Sequence, residues 1–522
     1  MKNVFLAVFA FFIFAANSYA QDDAIKYAKA ITETNLLKQL KIIASADMEG
    51  RETGTPGIRM AASYIESQFK EFGLKYSEKL NGYQQFYPLH QDNLTPGVFK
   101  IGNQELVYGK DYILQPGSAN AGSIKSAPLE FAGYGIDETN YNDYKGKNLK
   151  GKIAVLISGE PKSGDKYLVS GTDRPSRWGF STPMKVEAAK KNGAVAVIFI
   201  NTNWDAVPAR MAESSLKTGV FYPRPGDKIA TATLAKTQLQ NIFGEKEAAA
   251  ITGAYTNKTA LNNLKISTKN TAQLSYNVKT NVIGSTNVIG YIEGTDKKDE
   301  YVFITAHYDH LGKRGDVIYY GADDDGSGTV SLMEMARAFS IAKKEGKGPR
   351  RTIVFMTVSG EEKGLWGSEY YSEHPVFPLE KTTVDLNIDM IGRLDPGRTY
   401  GDSTNYVYVV GDDKLSSDLK PISIAANDKF TKLELDYKFN DPADKERIYF
   451  RSDHYNFARK GVPIIFYFDG IHADYHKPSD TWDKINYDVM EKRAQLVFMT
   501  AWEMANRDAM LKRDIPLPAE TR

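Results

Sequence analysis

The chain has 522 residues, 42% of them hydrophobic and 25% charged, a balance that excludes disorder, collagen or coiled coil for its bulk. Lys and Arg number 66 against 65 Asp and Glu, so a net charge of +1 offers no bulk attraction to nucleic acid or to an anionic membrane. With no cysteine, disulfides, thiol nucleophiles and Cys-held metals are excluded, and any metal site must be built from His and carboxylates.

In chain order, residues 1–20 read as a signal peptide. Lys2 precedes an apolar run over 4–16 that is too short to span a bilayer, and Ser18 and Ala20 are the small residues a signal peptidase reads. This predicts an exported protein, in a bacterial periplasm or outside the cell, with no stable membrane anchor after cleavage. Residues 21–115 open the main domain, with Met60, Ala61, Tyr64, Ile65, Phe69 and Phe72 at helical spacing over 58–72 and Gly73 as the stop. Residues 116–261 differ in texture: short strands at 152–157 and 194–200 and a helix over 184–191 predict a smaller, inserted, β-rich domain. From 262 to 522 β-rich runs alternate with helices. The runs lie at 287–292, 301–305, 352–358, 384–388, 406–410 and 462–468, the helices over 328–344 and 487–505. That rhythm predicts an α/β fold, a mixed, largely parallel sheet flanked by helices, with functional residues just past the carboxyl ends of the strands.

The residues at those ends are acidic or His. His307-Tyr308-Asp309-His310 follows the run at 301–305, and a glycine-flanked run Asp323-Asp324-Asp325 comes next. Glu361-Glu362 follows 352–358, Asp389 follows 384–388, and Tyr475-His476 through Asp480 follows 462–468. Each piece alone suits a solvated surface or a helix N-terminus. Together, several carboxylates at neighbouring strand ends would repel and be costly to desolvate without a cation. Two His with carboxylates and no sulfur suit Zn²⁺ ahead of Mn²⁺ or Co²⁺, and one carboxylate can bridge two such ions. Other chemistries lack their parts. Gly146 to Lys152 has the spacing of a phosphate loop, but Ile153 stands where Ser or Thr would hold Mg²⁺. No Gly-x-Ser-x-Gly elbow and no His-Glu-x-x-His pair exists.

These blocks resemble peptidase family M28, the co-catalytic zinc exopeptidases that include bacterial leucyl-type aminopeptidases. The Glu49-Gly50-Arg51 segment and the helix over 58–72 resemble that family's N-terminal part. Phe131 to Ile136 and Leu149 to Val155 resemble a protease-associated (PA) insert. The resemblance implies a zinc-peptidase sandwich in which His307 and Asp389 hold one zinc, Glu362 and His476 a second, and Asp324 bridges both. It implies a cis peptide after Asp324, Asp309 orienting His307, and Glu361 as general base for a zinc-activated water. Tyr449 and Tyr475 both match positions used to stabilise the oxyanion. The substrates implied are peptides, cut from the N-terminus, with no nucleic-acid partner and no indication of oligomeric state. A carboxypeptidase or dipeptidase of the same family is the alternative, with Arg393 or Arg451 as carboxylate clamp. A one-zinc glutaminyl cyclase fits less well because cyclases usually lack such an insert. A non-catalytic binding protein is disfavoured by the intact ligand set.

Overall fold

The computed structural model describes residues 23–115, 122–224, 226, 228–262, 264–441 and 444–518. The expected signal peptide, 1–20, lies outside them. The chain divides into two units, one built from residues up to Pro88 and from Gly284 onward, the other from Leu89–Ile283.

The first unit is organised by eight strands: β1 (Gln84–Tyr87), β2 (Ser285–Ile292), β3 (Lys297–His307), β4 (Arg351–Val358), β5 (Thr382–Ile388), β6 (Tyr406–Val410), β7 (Glu434–Asp436) and β8 (Ile464–Phe468). They lie in the order β1-β2-β4-β3-β5-β8-β6-β7. The central block β4-β3-β5-β8 is parallel, whereas β1–β2, β2–β4 and β8–β6 are antiparallel. This is the mixed, largely parallel sheet that the alternating runs predict. Its central strands are apolar on both faces, as strands covered on both sides must be. Val302, Ile304 and Ala306 of β3 enter one core and Phe303 the other.

On the first face pack α2 (Pro56–Phe72), α3 (Gly328–Lys344) and α6 (Tyr487–Asn506), with α1 (Glu33–Ile43) alongside. Phe339 of α3 and Phe498 of α6 meet at 4.2 Å between ring centroids. Helix α2 begins with Pro in its first turn and ends on Gly73, whose φ of 83° lets its N–H turn back to the carbonyls of Phe69 and Lys70. On the second face lie α4 (Trp366–Glu373), carrying Tyr371, and the aromatic group Phe377, Phe439 and Phe457. Helix α5 (Leu419–Lys429) lies between β6 and β7 in the chain.

The second unit has its own eight-stranded sheet and its own apolar core. Two twelve-residue strands, His90–Ile101 and Thr271–Val282, pair antiparallel. Gly122–Phe131, Ile153–Ile157, Ala196–Asn201 and Ala230–Ala235 form a parallel block, covered by helices such as Thr182–Lys191 and Glu245–Thr256. The insert expected at 116–261 lies inside this unit. No helix among the described residues is long and apolar enough to cross a membrane.

Candidate metal centre

Register places the chemistry. His307 is the last residue of β3 and lies opposite Val358, the last of β4. Ala306 lies opposite Ile388, the last of β5, and Ile388 opposite Tyr467 of β8. Four parallel strands therefore stop at one edge of the sheet, and the residues that follow them, Glu361, Glu362, Asp389 and the loop to His476, emerge together. The acidic loop Ala322–Ser327 enters the same edge before α3 begins at Gly328. It turns on Gly321, with φ of 56°, where a Cβ would come within 2.4 Å of the His310 ring.

Asp324 is the hub. Its Oδ1 is 3.3 Å from Nε2 of His307, and its Oδ2 is 3.0 Å from Nε2 of His476. Around the first His, Asp389 Oδ1 is 3.5 Å from the same Nε2. Around the second, Glu362 Oε2 is 3.2 Å from His476 Nε2. The five residues expected as ligands thus form two groups that share Asp324. The neighbours in the acidic run take backbone hydrogen bonds. Asp325 accepts from the backbone N–H of His307, Gly328 and Met390, and Asp323 accepts from that of Gly392. Asp480 accepts from the N–H groups of Asp323 and Asp324 and so holds the loop. The peptide bond between Asp324 and Asp325 is cis.

Buried carboxylates and imidazoles are normally hydrogen-bonded, and exceptions need a reason. Here His307 Nε2, Asp324 Oδ2 and Glu362 Oε1 are buried with no well-directed hydrogen bond, although His and carboxylate atoms face them at 3.3, 3.0 and 2.9 Å. Nδ1 of His307 lies 3.1 Å from the carbonyl oxygen of Asp309. A carbonyl can only accept, so Nδ1 donates to it and Nε2 faces Asp324 and Asp389, which with Asp309 outweigh burial and push the His307 pKa well up. The pKa shifts express the same need for a counter-charge. Burial lowers the His476 pKa, but Asp324 and Glu362 outweigh it and push it up to about 10. Burial raises Asp324, but His307 and His476 hold it well below the usual carboxylate range. N and O ligand atoms converging without sulfur fit divalent cations. Two residue groups capable of holding an ion are found among the described residues, His307 with Asp325 and Asp389, and His310 with Asp324 and Glu362.

The second group contains a residue that sequence reasoning passed over. His310 is fully buried, its Nδ1 2.9 Å from Glu362 Oε1 and 3.7 Å from Asp324 Oδ2. The signal was present, a second His immediately after Asp309, but an His-x-Asp-His run does not say which imidazole faces inward. Asp453 was also missed as a site neighbour. It is buried, accepts from Ser368 Oγ at 2.5 Å, and is among the charges that raise Glu361.

Asp309 supports the site in three ways. Its carbonyl faces His307, its Oδ1 accepts from the Glu361 N–H at 3.2 Å, and its Oδ2 accepts from Thr53 at 2.9 Å. The nearest approach of its carboxylate to the His307 ring is 3.6 Å, longer than that of the carbonyl. Glu361 has Oε2 4.0 Å from His307 Nε2, and burial pushes its carboxyl well up, aided by Asp389, Glu362 and Asp453. Arg51 anchors the surrounding loops. It is fully buried and donates to the carbonyls of Ile43, Tyr308, Tyr320 and Gly321.

Glu361, Asp324 and Asp389 open into a small cleft whose apolar wall includes Met390, Ile448, Phe466, Phe468 and Ile471. Tyr475 lines it too, its ring stacked on His476 at 3.9 Å, with Asp324, Glu362 and Asp389 among the charges it feels. Tyr449 stands apart. Its ring lies against Gly411, its hydroxyl is buried without a hydrogen-bond partner, and the charges around it are Tyr455 and Asp413.

Residues 287–501, which include every residue of the two metal-facing groups, match the model for Peptidase family M28. The aminopeptidase YwaD of Bacillus subtilis (strain 168) is 26% identical over 413 residues, covering 77% of this chain and 72% of that protein. A probable leucine aminopeptidase of Arthroderma otae is 31% identical over 216 residues, 40% of this chain, and the match spans about half of that relative, 55%. Among solved structures, the aminopeptidase from Aneurinibacillus sp. strain AM-1 shares the fold, with a TM-score of 0.53 at 21% identity over 95% of this chain and 100% of that one.

Proposed function

The chain carries a Peptidase family M28 domain over residues 287–501, and from that premise we propose that it is an exported two-zinc aminopeptidase. The observation that carries the reading is the pair of histidines on opposite oxygens of Asp324, His307 at 3.3 Å and His476 at 3.0 Å. His307, Asp324 and Asp389 would hold one zinc, and Asp324, Glu362 and His476 the other, with His310 supporting Glu362. When bound, such ions lower the pKa of water and polarise a peptide carbonyl.

The remaining work belongs to side chains of this chain. Glu361, held by the Asp309–backbone bond, accepts the proton of the attacking water and returns it to the leaving amine. A carboxyl pushed upward by burial is suited to both halves of that task. Tyr475 presents its hydroxyl at the cleft and donates to the developing oxyanion, in preference to Tyr449, which faces elsewhere. The carboxylates of the cleft receive the free α-amine of a peptide, and the wall of Met390, Phe466, Phe468 and Ile471 receives the first side chain. YwaD and the probable leucine aminopeptidase are relatives of that activity by name. In this reading the second unit is a protease-associated domain and residues 1–20 are a signal peptide.

The test is a peptide series blocked at either end, with and without chelator. Acetylating the α-amine should abolish cleavage, amidating the far carboxylate of a longer peptide should not, and chelation should stop it. The reverse pattern assigns a carboxypeptidase, and sensitivity to both blocks on dipeptides alone a dipeptidase.

A further inference from the structure

Among the described residues that line the cleft, Arg451 is the one basic side chain. We propose that Arg451 is a receptor for a substrate carboxylate, which directs this enzyme toward substrates bearing a negative charge next to the scissile bond. The inference rests on the aminopeptidase reading and goes beyond it, since an apolar wall with carboxylates behind it otherwise selects against anions.

Two arginines near the ligand loops have the chemistry for such a role, and the structure separates them. Arg393 is anchored outside the cleft, although its Nη1 makes no hydrogen bond. Its Nη2 is 2.9 Å from Asp474, its backbone N–H donates to Asp469, and it does not line the cleft. Arg451 is in the cleft wall with Ile448, Phe466 and Ile471. Its polar contacts are long: Tyr475 Oη at 3.4 Å from Nη2 and Glu446 at 3.8 Å from Nη1. The Glu446 side chain is 62% exposed, so that pair is screened and easily exchanged. A guanidinium has five N–H donors in a planar fork that matches a carboxylate in bidentate geometry. The apolar wall accepts a methylene stem, and Arg451 then meets the charge at its end. Its contact with Tyr475 couples that recognition to the hydroxyl proposed to face the oxyanion.

The carboxylate can come from two places: the side chain of an acidic first residue, or the chain terminus of a dipeptide. The experiment compares wild type, Arg451→Met, Arg451→Lys and Arg451→Glu. One arm uses glutamyl- and leucyl-p-nitroanilide, the other a leucyl dipeptide and its C-terminal amide. If the side chain is read, the glutamyl-to-leucyl ratio of kcat/KM falls about 10–100-fold in Arg451→Met, the worth of a hydrogen-bonded charge. Lys then keeps part of the ratio, because it retains charge but not the fork, and Arg451→Glu shifts preference to lysyl-p-nitroanilide. If the terminus is read, the dipeptide-to-amide ratio falls instead. Ratios unmoved in both Met and Glu variants overturn the proposal. Wild type that cleaves no free-amine substrate refutes the aminopeptidase reading instead. Calorimetric binding of glutamate against leucine then still reads the arginine: a preference lost in Arg451→Met supports the receptor, and one unchanged or absent in wild type overturns it.

Discussion

The two units both bury ionisable groups beside parallel strands, and they treat them differently. In the second unit Asp143 accepts from Ile136 N–H and from Tyr141 Oη at 2.9 Å, Glu160 accepts from Val169 and Ser176, and Lys185 donates to the Gly159 carbonyl at 2.7 Å. Each of these three charges has a partner from its own surroundings. At the strand ends of the first unit, His307 Nε2, Asp324 Oδ2 and Glu362 Oε1 make no well-directed hydrogen bond and face only other ionisable members of the same cluster. Burial of charge by itself does not mark a functional site. Ligand-type N and O atoms that converge on the same few ångströms without well-directed hydrogen bonds do, because a bound cation would satisfy them together.

The sharpest way to break this comparison is to remove the base while leaving the metal-facing groups intact. Glu361→Gln should lower kcat about 10²–10⁴-fold while the metal content of the protein stays as in wild type. Near-normal kcat would mean that the unpaired groups do not serve a reaction through Glu361. Metal removal comes next. Wild type should contain about two zincs per chain, as two-metal hydrolases do, and Asp324→Ala should lose both because it faces both histidines. Chelation should cost the first unit on the order of 4 kcal/mol, the linkage expected at ligand a thousandfold above Kd. Hydrogen exchange should show lost protection in β3 and β5 but not in strands Ile153–Ile157 and Ala196–Asn201. Equal loss in both units would erase the distinction drawn between them.

Much of this was legible in the sequence, for a physical reason. The central strands β3, β4, β5 and β8 are buried on both faces, so they appear as unbroken β-branched and aromatic runs, and their ends bracket the reactive residues. The edges were not legible. β1 is Gln-Gln-Phe-Tyr and β7 is Glu-Leu-Asp, half-polar stretches that become strands only because a neighbour offers hydrogen bonds. The strands His90–Ile101 and Thr271–Val282 contain Pro96, Gly97 and many polar residues, and their pairing depends on each other rather than on pattern. His310 escaped for a related reason. Its burial depends on the turn at Gly321, which brings the acidic loop over the ring. The preference proposed for Tyr475 over Tyr449 likewise rests on the packing of Tyr449 on Gly411.

His310 offers a finer test. If it completes the second group of unpaired atoms by holding Glu362, His310→Ala should weaken zinc binding about 10–100-fold, as loss of a ligand's supporting partner typically does. Competition against a calibrated chelator measures it, and an unchanged affinity would leave His310 as packing against the acidic loop.

The smallest effect concerns the partnered charges of the second unit, whose consequence is pH dependence rather than catalysis. Burial raises the Asp143 carboxyl to about 6 from 3.8, against the pull of Ile136, Tyr141 and Lys185. Between about pH 4 and 6 the folded unit therefore holds more protons than the unfolded chain, so Asp143 makes stability fall as pH rises through that window. Burial lowers Lys185 to about 8 from 10.5, against Asp143 and Glu160. Above about pH 8 the unfolded chain holds more protons, so Lys185 makes stability rise with pH. The two contributions give the second unit a shallow minimum between pH 6 and 8. The low-pH limb amounts to about 1–2 kcal/mol, given 1.36 kcal/mol per pKa unit and incomplete titration across the window. Exchange rates of amides in Ile153–Ile157, corrected for intrinsic pH dependence, should slow as pH is lowered from 6 to 4, and Asp143→Asn should flatten that limb. A limb that persists in Asp143→Asn would assign the titration to another group and leave Asp143 as a hydrogen-bond acceptor only.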